Sequence, residues 1–360
     1  MLLTPNLHGG GAERVLINLL RSFDRRRLAP RLVAADLAGP LVKQLPQDAD
    51  VADLGVRRIR YVLPKLVGEI NRSGPDVVLS AFERMNFALL MAKPFLRNRP
   101  RIVIREVNLP SRSLAEYGGS RRRLYQALYR KLYPGADLII AQSERMREEI
   151  MAFAGVGPDR VVTIHNPIDV AAIGKLSDRP SPYAETGGAG CNVAAVGRLE
   201  FQKGFDLLIR AFRVFLDRRP GSRLYLLGEG SLRAELSGLA ASLGIGEFVH
   251  FVGFRDNPYP YIRHADLFVL PSRYEGFPNV LLEALACRAN IVAADCPSGP
   301  REILSREEYG LLVPPNDPDG LAEGMLRRAN DAAGRSSGYA RAMDYDCSVI
   351  TGKYEQVLIG

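Results

Sequence analysis

The chain has 360 residues, beyond the roughly 250–300 at which a single hydrophobic core stops growing, so two domains are expected. Apolar residues make up 47% and charged residues 24%, which excludes a largely disordered chain, and no apolar run nears the ~18 residues needed to cross a bilayer. The net charge of +8 is uneven: residues 1–180 carry 29 Lys and Arg against 18 Asp and Glu, the remainder 19 against 22. A basic first half fits an anionic partner: nucleic acid, a phospholipid surface or a phosphorylated substrate. The four cysteines, at 191, 287, 296 and 347, form no CxxC pair or regular framework, and no leader pattern precedes the first glycine-rich loop. A reducing cytoplasm is the expectation.

The chain opens with a short strand, "MLLT" before Pro5, which suggests that native residues precede it. Gly9, Gly10 and Gly11 then lead into a helix starting near Ala12. Successive glycines let backbone N–H groups approach an oxyanion at a helix N-terminus; a tight turn without ligand is the other reading. Short β-rich runs follow ("LAPRLVAAD", "PDVVLSAF", "RIVIRE", "ADLIIAQS", "RVVTIHN"), with helical patterns such as "ERMREEIMAF" between them. The segment "SRRRLYQALYRKLY", 120–133, has a leucine stripe at 124, 128 and 132 beside a tyrosine stripe at 125, 129 and 133. It reads either as an interfacial helix on a membrane or as a packed helix with a solvated basic face.

Residues 166–190 are rich in Pro, Gly, Ser and Asp and read as a linker. Strands resume with "CNVAAVGR", "SRLYLLGEG", "FVHFVGF", "ADLFVLPS", "ANIVAAD" and "YGLLVPP". Alternation on both sides of the linker predicts an α/β protein of two doubly wound, Rossmann-like domains facing one another across a cleft. The predicted boundaries are 1–167, a linker 168–190, a second domain 191–336, and a C-terminal segment 337–360 that crosses back to the first domain.

Two loops of the second half concentrate polar chemistry. "GRLEFQKG", 197–204, follows a strand and carries Arg198 and Lys203, a planar fork and a point charge that can converge on a diphosphate. "RYEGFPNVLLEALAC", 273–287, reads as turn and helix, with Pro278 in the first helical turn, Val280, Leu281, Leu282 and Leu285 buried, and Glu275 and Glu283 at an exposed mouth. On one continuous helix these carboxylates would sit roughly 80° apart, so the loop must bend for both to meet one ligand. Amides of Gly276, Phe277, Asn279 and Val280 would line that mouth. A nucleotide sugar suits it, one carboxylate accepting from a ribose diol and the other from sugar hydroxyls; solvated helix acids are the alternative. "LLGEGSLRAEL" fails the GxGxxG pattern because Arg233 stands at the third glycine, yet a turn at Gly228 and Gly230 near a nucleobase stays reasonable. The acidic pairs "DAD", "DPD" and "DYD" follow no β-run in a way that presents carboxylates to a metal.

Taken in order, "GGGAER", "NPID", "GRL…KG", Glu275-x7-Glu283 and "GLLVPPNDPDGLAEGM" resemble the retaining, GT-B-fold glycosyltransferases of family 4, over almost the whole chain. The bacterial enzymes that build lipid-linked glycans and surface polysaccharides are the nearest in flavour, through "EGFPNVLLEALAC…CPSGPREIL" and "REVNLPS". The resemblance implies a hexosyl or N-acetylhexosaminyl transferase using a nucleotide sugar, most naturally UDP-linked, with neither cofactor nor metal. Arg198 and Lys203 would hold the diphosphate, Glu283 the ribose and Glu275 the transferred sugar; Gly10 and Gly11 would lie near the phosphate or acceptor, and Phe254 would join the donor contacts. Where many relatives carry a histidine, "IREVNLP" has Arg105, Glu106 and Asn108, so a side-chain base is in question and Glu106 and Asn108 become acceptor candidates. His8 and His165 read as structural, a place facing the cleft being the other reading. The expected setting is cytoplasmic and peripheral on the inner membrane, with a lipid-linked or polysaccharide acceptor, an anionic membrane surface met by the basic half, and no nucleic acid. The rivals are a sugar-nucleotide epimerase or glycoside phosphorylase on the same fold, and a non-catalytic binder of anionic membrane or nucleic acid.

Overall fold

A computed structural model describes residues 1–115, 117–183, 190–305, 307–330 and 338–360. The chain divides into two compact units, Met1–Ile168 with Cys347–Gly360, and Asp169–Asp346. In the first, β1 (Leu2–Thr4), β2 (Arg31–Ala34), β3 (Asp50–Asp53), β4 (Val77–Ala81), β5 (Arg101–Arg105), β6 (Leu138–Ala141) and β7 (Val161–Thr163) form one sheet, all pairs parallel, in the order β3-β2-β1-β4-β5-β6-β7. In the second, β8 (Asn192–Val196), β9 (Arg223–Leu227), β10 (Val249–Gly253), β11 (Leu267–Leu270), β12 (Ile291–Ala294) and β13 (Leu311–Val313) form a parallel sheet ordered β10-β9-β8-β11-β12-β13. Each sheet is doubly wound, and each reverses its order once, between β1 and β4 and between β8 and β11. Loops leaving the strand C-termini on either side of such a reversal diverge and open a crevice for ligand.

The apolar runs behave as buried parallel strands do, alternating between two covered faces. Leu3, Val78, Ile102 and Ile104 point into one core with Phe87, Tyr129 and Tyr133, while Leu2, Leu79, Val103 and Ile140 point into another with Val15, Leu19 and Phe23. In the second unit Val193, Ala195, Leu224 and Val269 pack on Phe205, Leu208, Phe212 and Phe215. The edge strand β3 is not among the predicted runs, because "DVAD" has exposed aspartates at both ends and no fully buried residue.

Two segments differ from the sequence reading, and in a third the structure agrees with one of its two alternatives. Within the predicted linker, Val170–Ser177 is a helix of the second unit: Asp169 caps it, accepting from the Ala172 N–H at 2.8 Å, and Val170 and Ile173 are buried. Residues 184–189 of that linker, 331–336 at the far end of the second predicted domain and 337 at the start of the predicted crossing segment lie outside the described residues. The predicted crossing segment is also shorter. Helix Gly338–Met343 stays with the second unit, and the return to the first begins at Cys347, whose N–H donates to Ile168 O at 2.9 Å. In the 119–133 segment, Tyr129 and Tyr133 are fully buried and Phe87 meets the rings of Tyr125, Tyr129 and Tyr133 edge-on at 5.8, 5.2 and 5.7 Å. The tyrosines are therefore the core face. Leu124 and Arg121–Arg123 face solvent.

Helix Cys347–Ile359 covers one face of the first sheet through Ile350, Tyr354 and Leu358, spaced four apart, as one face of a helix requires. Its Tyr354 hydroxyl accepts from Arg105 Nε at 2.9 Å, inside the unit, and Glu355 accepts from the Asp24 N–H at 2.8 Å. Tyr354→Ala should lower the stability of the first unit by about 4 kcal/mol, the sum of a cavity and a deprived buried guanidinium. A urea-midpoint shift worth less than about 1 kcal/mol would contradict this role.

Candidate active site

The crevice of the second unit is built from backbone approaches that only glycine permits. After β8 the chain runs beside the loop that follows β9: Gly197 N–H donates to Leu227 O and Leu199 N–H to Glu229 O, each at 2.9 Å. A Cβ on Gly228, whose φ is 135°, would stand 2.0 Å from Gly197 O, and one on Gly230 would stand 2.4 Å from Leu199 O. These two glycines thus seat the β9 loop against the β8 loop at the sheet's C-terminal edge. The Glu200 carboxylate adds a tie, accepting from the Ser231 amide and hydroxyl at 2.8 Å, and those bonds hold its carboxyl below the ordinary range. On the next strand, Gly253 O accepts from Gly228 N–H at 3.0 Å, and Phe254 follows with half its side chain exposed.

Arg198 is exposed, with Nη2 donating to Gln202 Oε1 at 3.2 Å. Lys203 closes a short turn, Phe201–Lys203, and Gly204 (φ 65°) carries the chain so near Pro271 that a Cβ there would meet its carbonyl oxygen at 2.2 Å. That approach brings Lys203 Nζ to Glu275 Oε1 at 2.6 Å, and Ser272 Oγ donates to the same oxygen at 2.6 Å. The lysine predicted for a diphosphate and the glutamate predicted for a sugar are thus an ion pair. A further link was not foreseen: Gln202 Nε2 donates to Tyr274 O at 3.0 Å, while Arg273 grips Asp206 with Nη1 and Nη2 at 2.7 and 2.6 Å. The only sequence signal for that pair is its position, two residues before Glu275 and two after Gly204.

The acidic stretch departs from expectation in three respects. Pro278 is the N-cap of helix Asn279–Ala286 and not part of its first turn, because the chain is still extended there (ψ 96°). Val280 is half-buried, while Leu281, Leu282 and Leu285 are buried as expected. The carboxylates also do not sit at an exposed mouth: Glu275 and Glu283 are only 5% and 8% exposed. Glu275 tolerates this because Lys203 and Ser272 compensate its charge. Near Glu283, burial chiefly, with the carboxylate's charge adding to it, pushes the Cys287 thiol above its ordinary range. Asn279 and Val280 begin the helix, so their N–H groups point out of its N-terminal end. Gly276 O accepts from Ser298 Oγ at 2.6 Å, and Phe277 packs against Tyr345, ring to ring at 5.8 Å.

In the first unit, Gly9 has φ 112°, Gly10 caps helix Gly11–Ser22 and Gly11 begins it. The predicted anion position is already approached by a negative group. A Cβ on Gly10 would clash with Glu13, whose carboxylate folds back over the helix N-terminus, where its charge is favoured. Beyond β5, Asn108 is exposed, but Glu106 is fully buried, which corrects its reading as an acceptor contact. Glu106 Oε1 accepts from the Tyr133 hydroxyl and from Asn86 Nδ2, and Oε2 has no partner. Burial, reinforced by the nearby Glu83 charge, raises its pKa well above the ordinary carboxylate value. Arg105 beside it bonds Tyr354 and Asn166, and Asn166 continues through Gln142 to the Glu106 carbonyl. His8 is exposed and His165 half-buried. Among the described residues no three His, Cys, Asp or Glu side chains are grouped as metal ligands, and no helix is long and apolar enough to cross a membrane.

An acid whose pKa rises on folding leaves the native state with more bound protons than the unfolded chain, so its contribution to stability declines as pH climbs above the ordinary value of 4.5. Glu106→Gln removes that titration and keeps an acceptor for Tyr133. Urea midpoints should therefore shift in favour of the variant as pH rises above about 4.5. A stability difference independent of pH would contradict a raised pKa for Glu106.

Family models and relatives agree on both halves. The model described as Glycosyltransferase Family 4 matches residues 9–172, and that of Glycosyl transferases group 1 matches residues 190–331. The N-acetylgalactosamine-N,N'-diacetylbacillosaminyl-diphospho-undecaprenol 4-alpha-N-acetylgalactosaminyltransferase of Campylobacter jejuni is 31% identical over 91% of this chain and 88% of its own length. An uncharacterised glycosyltransferase of Methanocaldococcus jannaschii is 26% identical over 83% of this chain and 82% of its own. Among solved structures, Anabaena HepE in complex with UDP-glucose superposes with a TM-score of 0.81 at 21% identity, covering 99% of this chain and 98% of that one. WaaG, a glycosyltransferase of lipopolysaccharide biosynthesis, gives 0.78 at 17% identity, covering 100% and 99%.

Proposed function

Because the chain belongs to the family 4 glycosyltransferases of GT-B fold, we propose that it moves a hexose or N-acetylhexosamine from a UDP-linked donor to a lipid-linked or polysaccharide acceptor, with retention at the anomeric carbon. The observation that carries this reading is the Lys203–Glu275 pair at the order reversal of the second sheet, with Arg198 on the same loop as the lysine and Glu283 on the helix beyond the glutamate. Arg198 and Lys203 hold the diphosphate, helped by the N–H groups at Gly276, Phe277, Asn279 and Val280. Glu283 accepts from the ribose hydroxyls and Glu275 from the transferred sugar. The exposed ring of Phe254, beside the Gly228–Gly230 turn, supports a nucleobase seat on that part of the edge.

In the first unit, exposed Asn108 is the acceptor contact, with Gly10 and Gly11 as further acceptor candidates. Buried Glu106 shapes that region from beneath. No side-chain base is required. The acceptor oxygen bonds to the anomeric carbon on the face from which the diphosphate departs, the bond from that carbon to the phosphate oxygen breaks, and the acceptor proton passes to the departing oxygen. Arg198 and Lys203 stabilise the charge that develops there. The reaction needs no metal if those two cations carry the diphosphate. The Campylobacter relative's acceptor, a glycan carried on diphospho-undecaprenol, supports the lipid-linked choice, and HepE's bound UDP-glucose supports the carrier. Arg121, Arg122 and Arg123 with exposed Leu124 support attachment to the anionic cytoplasmic face of the inner membrane.

Arg198→Ala and Glu283→Ala should each lower kcat/KM for transfer from the UDP-sugar by about 100-fold or more in the purified protein. A thermal-shift screen across UDP-, GDP- and ADP-sugars identifies the donor beforehand. Unchanged turnover in both variants would overturn the site assignment, and product formed without acceptor would point to an epimerase.

A further inference from the structure

We infer that Arg273 is a positioning residue that locks the cation loop 198–204 against the acidic loop 272–277, through its bidentate pair with Asp206. The inference rests on the donor-site reading above and goes beyond it, since Arg273 itself holds no ligand. Its guanidinium is occupied by protein. Nη1 donates to Phe201 O at 2.9 Å and to Asp206 Oδ1 at 2.7 Å, Nη2 donates to Asp206 Oδ2 at 2.6 Å, and the planar group lies over the Phe201 ring, 4.1 Å from its centroid. The Arg273 backbone N–H adds a bond to Gln202 O at 2.8 Å. One residue thus binds the turn Phe201–Lys203, the first turn of the helix Phe205–Arg218 and the strand end that leads to Glu275.

The pair is partly shielded, with side-chain exposures of 13% for Arg273 and 31% for Asp206, so solvent screens it less than a surface pair. A planar fork is needed for this arrangement: two parallel bonds fix an angle as well as a distance, and the ring contact fixes the plane. The consequence is functional because loop 198–204 carries both proposed diphosphate cations: Leu199 and Glu200 tie its first half to the β9 loop, and Arg273 holds the turn 201–203. Arg198 donates to Gln202, itself bound to Tyr274 O, and Lys203 meets Glu275 across the same junction. If the clamp opens, Lys203 and Arg198 no longer present a fixed pair of charges, and misplacement of about 1 Å is enough to cost about 100-fold in rate.

Two readouts test this on the full-length protein. Without any nucleotide, amide exchange at residues 201–204 in Arg273→Ala should quicken about tenfold while β8 stays protected. With donor, KM for the UDP-sugar should rise about tenfold and kcat/KM fall about 100-fold; Arg273→Lys should recover part of both, and Arg273→Ala combined with Asp206→Ala should be no worse than either alone. A merely structural role would instead lower the thermal midpoint and the fraction of active enzyme, leaving KM of the active fraction as in wild type. Unchanged exchange at 201–204, or an unchanged KM, overturns the inference. Failure of the wild-type protein to bind UDP would sink the donor reading instead, and the exchange measurement would still decide the role of Arg273.

Discussion

The ion pair between Lys203 and Glu275 binds two loops that leave neighbouring strands and would otherwise diverge. Both side chains are mostly buried, at 15% and 6% exposure, so neither charge is well hydrated, and removing one would leave the other uncompensated at a cost of about 3–5 kcal/mol. The pair therefore explains why the surrounding backbone is drawn so tightly. Gly204 lets the cation loop pass against Pro271, Gly228 and Gly230 let the next loop close on residues 197–199, and Ser272 and Arg273 fix the far side. What results is a preorganised cluster of charge whose members have partners before any ligand arrives.

Two buried glutamates show how environment separates roles. Glu275 keeps a cation and a hydroxyl on one oxygen, so its buried carboxylate has compensating partners. Glu106, wholly buried with a second carboxylate nearby, has its pKa raised well above the ordinary value although Tyr133 and Asn86 donate to one of its oxygens. The first suits a donor site, where a lysine can exchange a carboxylate for a diphosphate. The second suits the interior of the first unit, where it joins Tyr133 and Asn86 and lies next to the Arg105–Tyr354 link that ties in the C-terminal helix.

Much of the architecture was legible because it rests on local pattern. Apolar runs such as "VVLSA" and "LFVL" are strands as expected, and each loop richest in glycine or charge leaves the C-terminal end of one, so Arg198, Lys203 and Glu275 could be gathered by position alone. Whatever depends on distant partners was not legible. Glu106 looks like a polar loop residue until Tyr133, 27 positions on, encloses it. The Arg273–Asp206 pair spans 67 positions, and the fold-back of Glu13 over Gly10 is a matter of rotamer. The helix at Val170–Ser177 was hidden by the prolines and glycines that follow it, although Asp169 is an ordinary N-cap.

Sharing of Lys203 between Glu275 and the donor diphosphate is tested most directly by calorimetric titration of UDP into Glu275→Gln. Neutralising Glu275 frees the lysine and removes a negative charge from beside the diphosphate, so UDP should bind about fivefold or more tighter than to wild type, while sugar transfer collapses. UDP affinity that falls or stays unchanged in this variant would contradict that sharing.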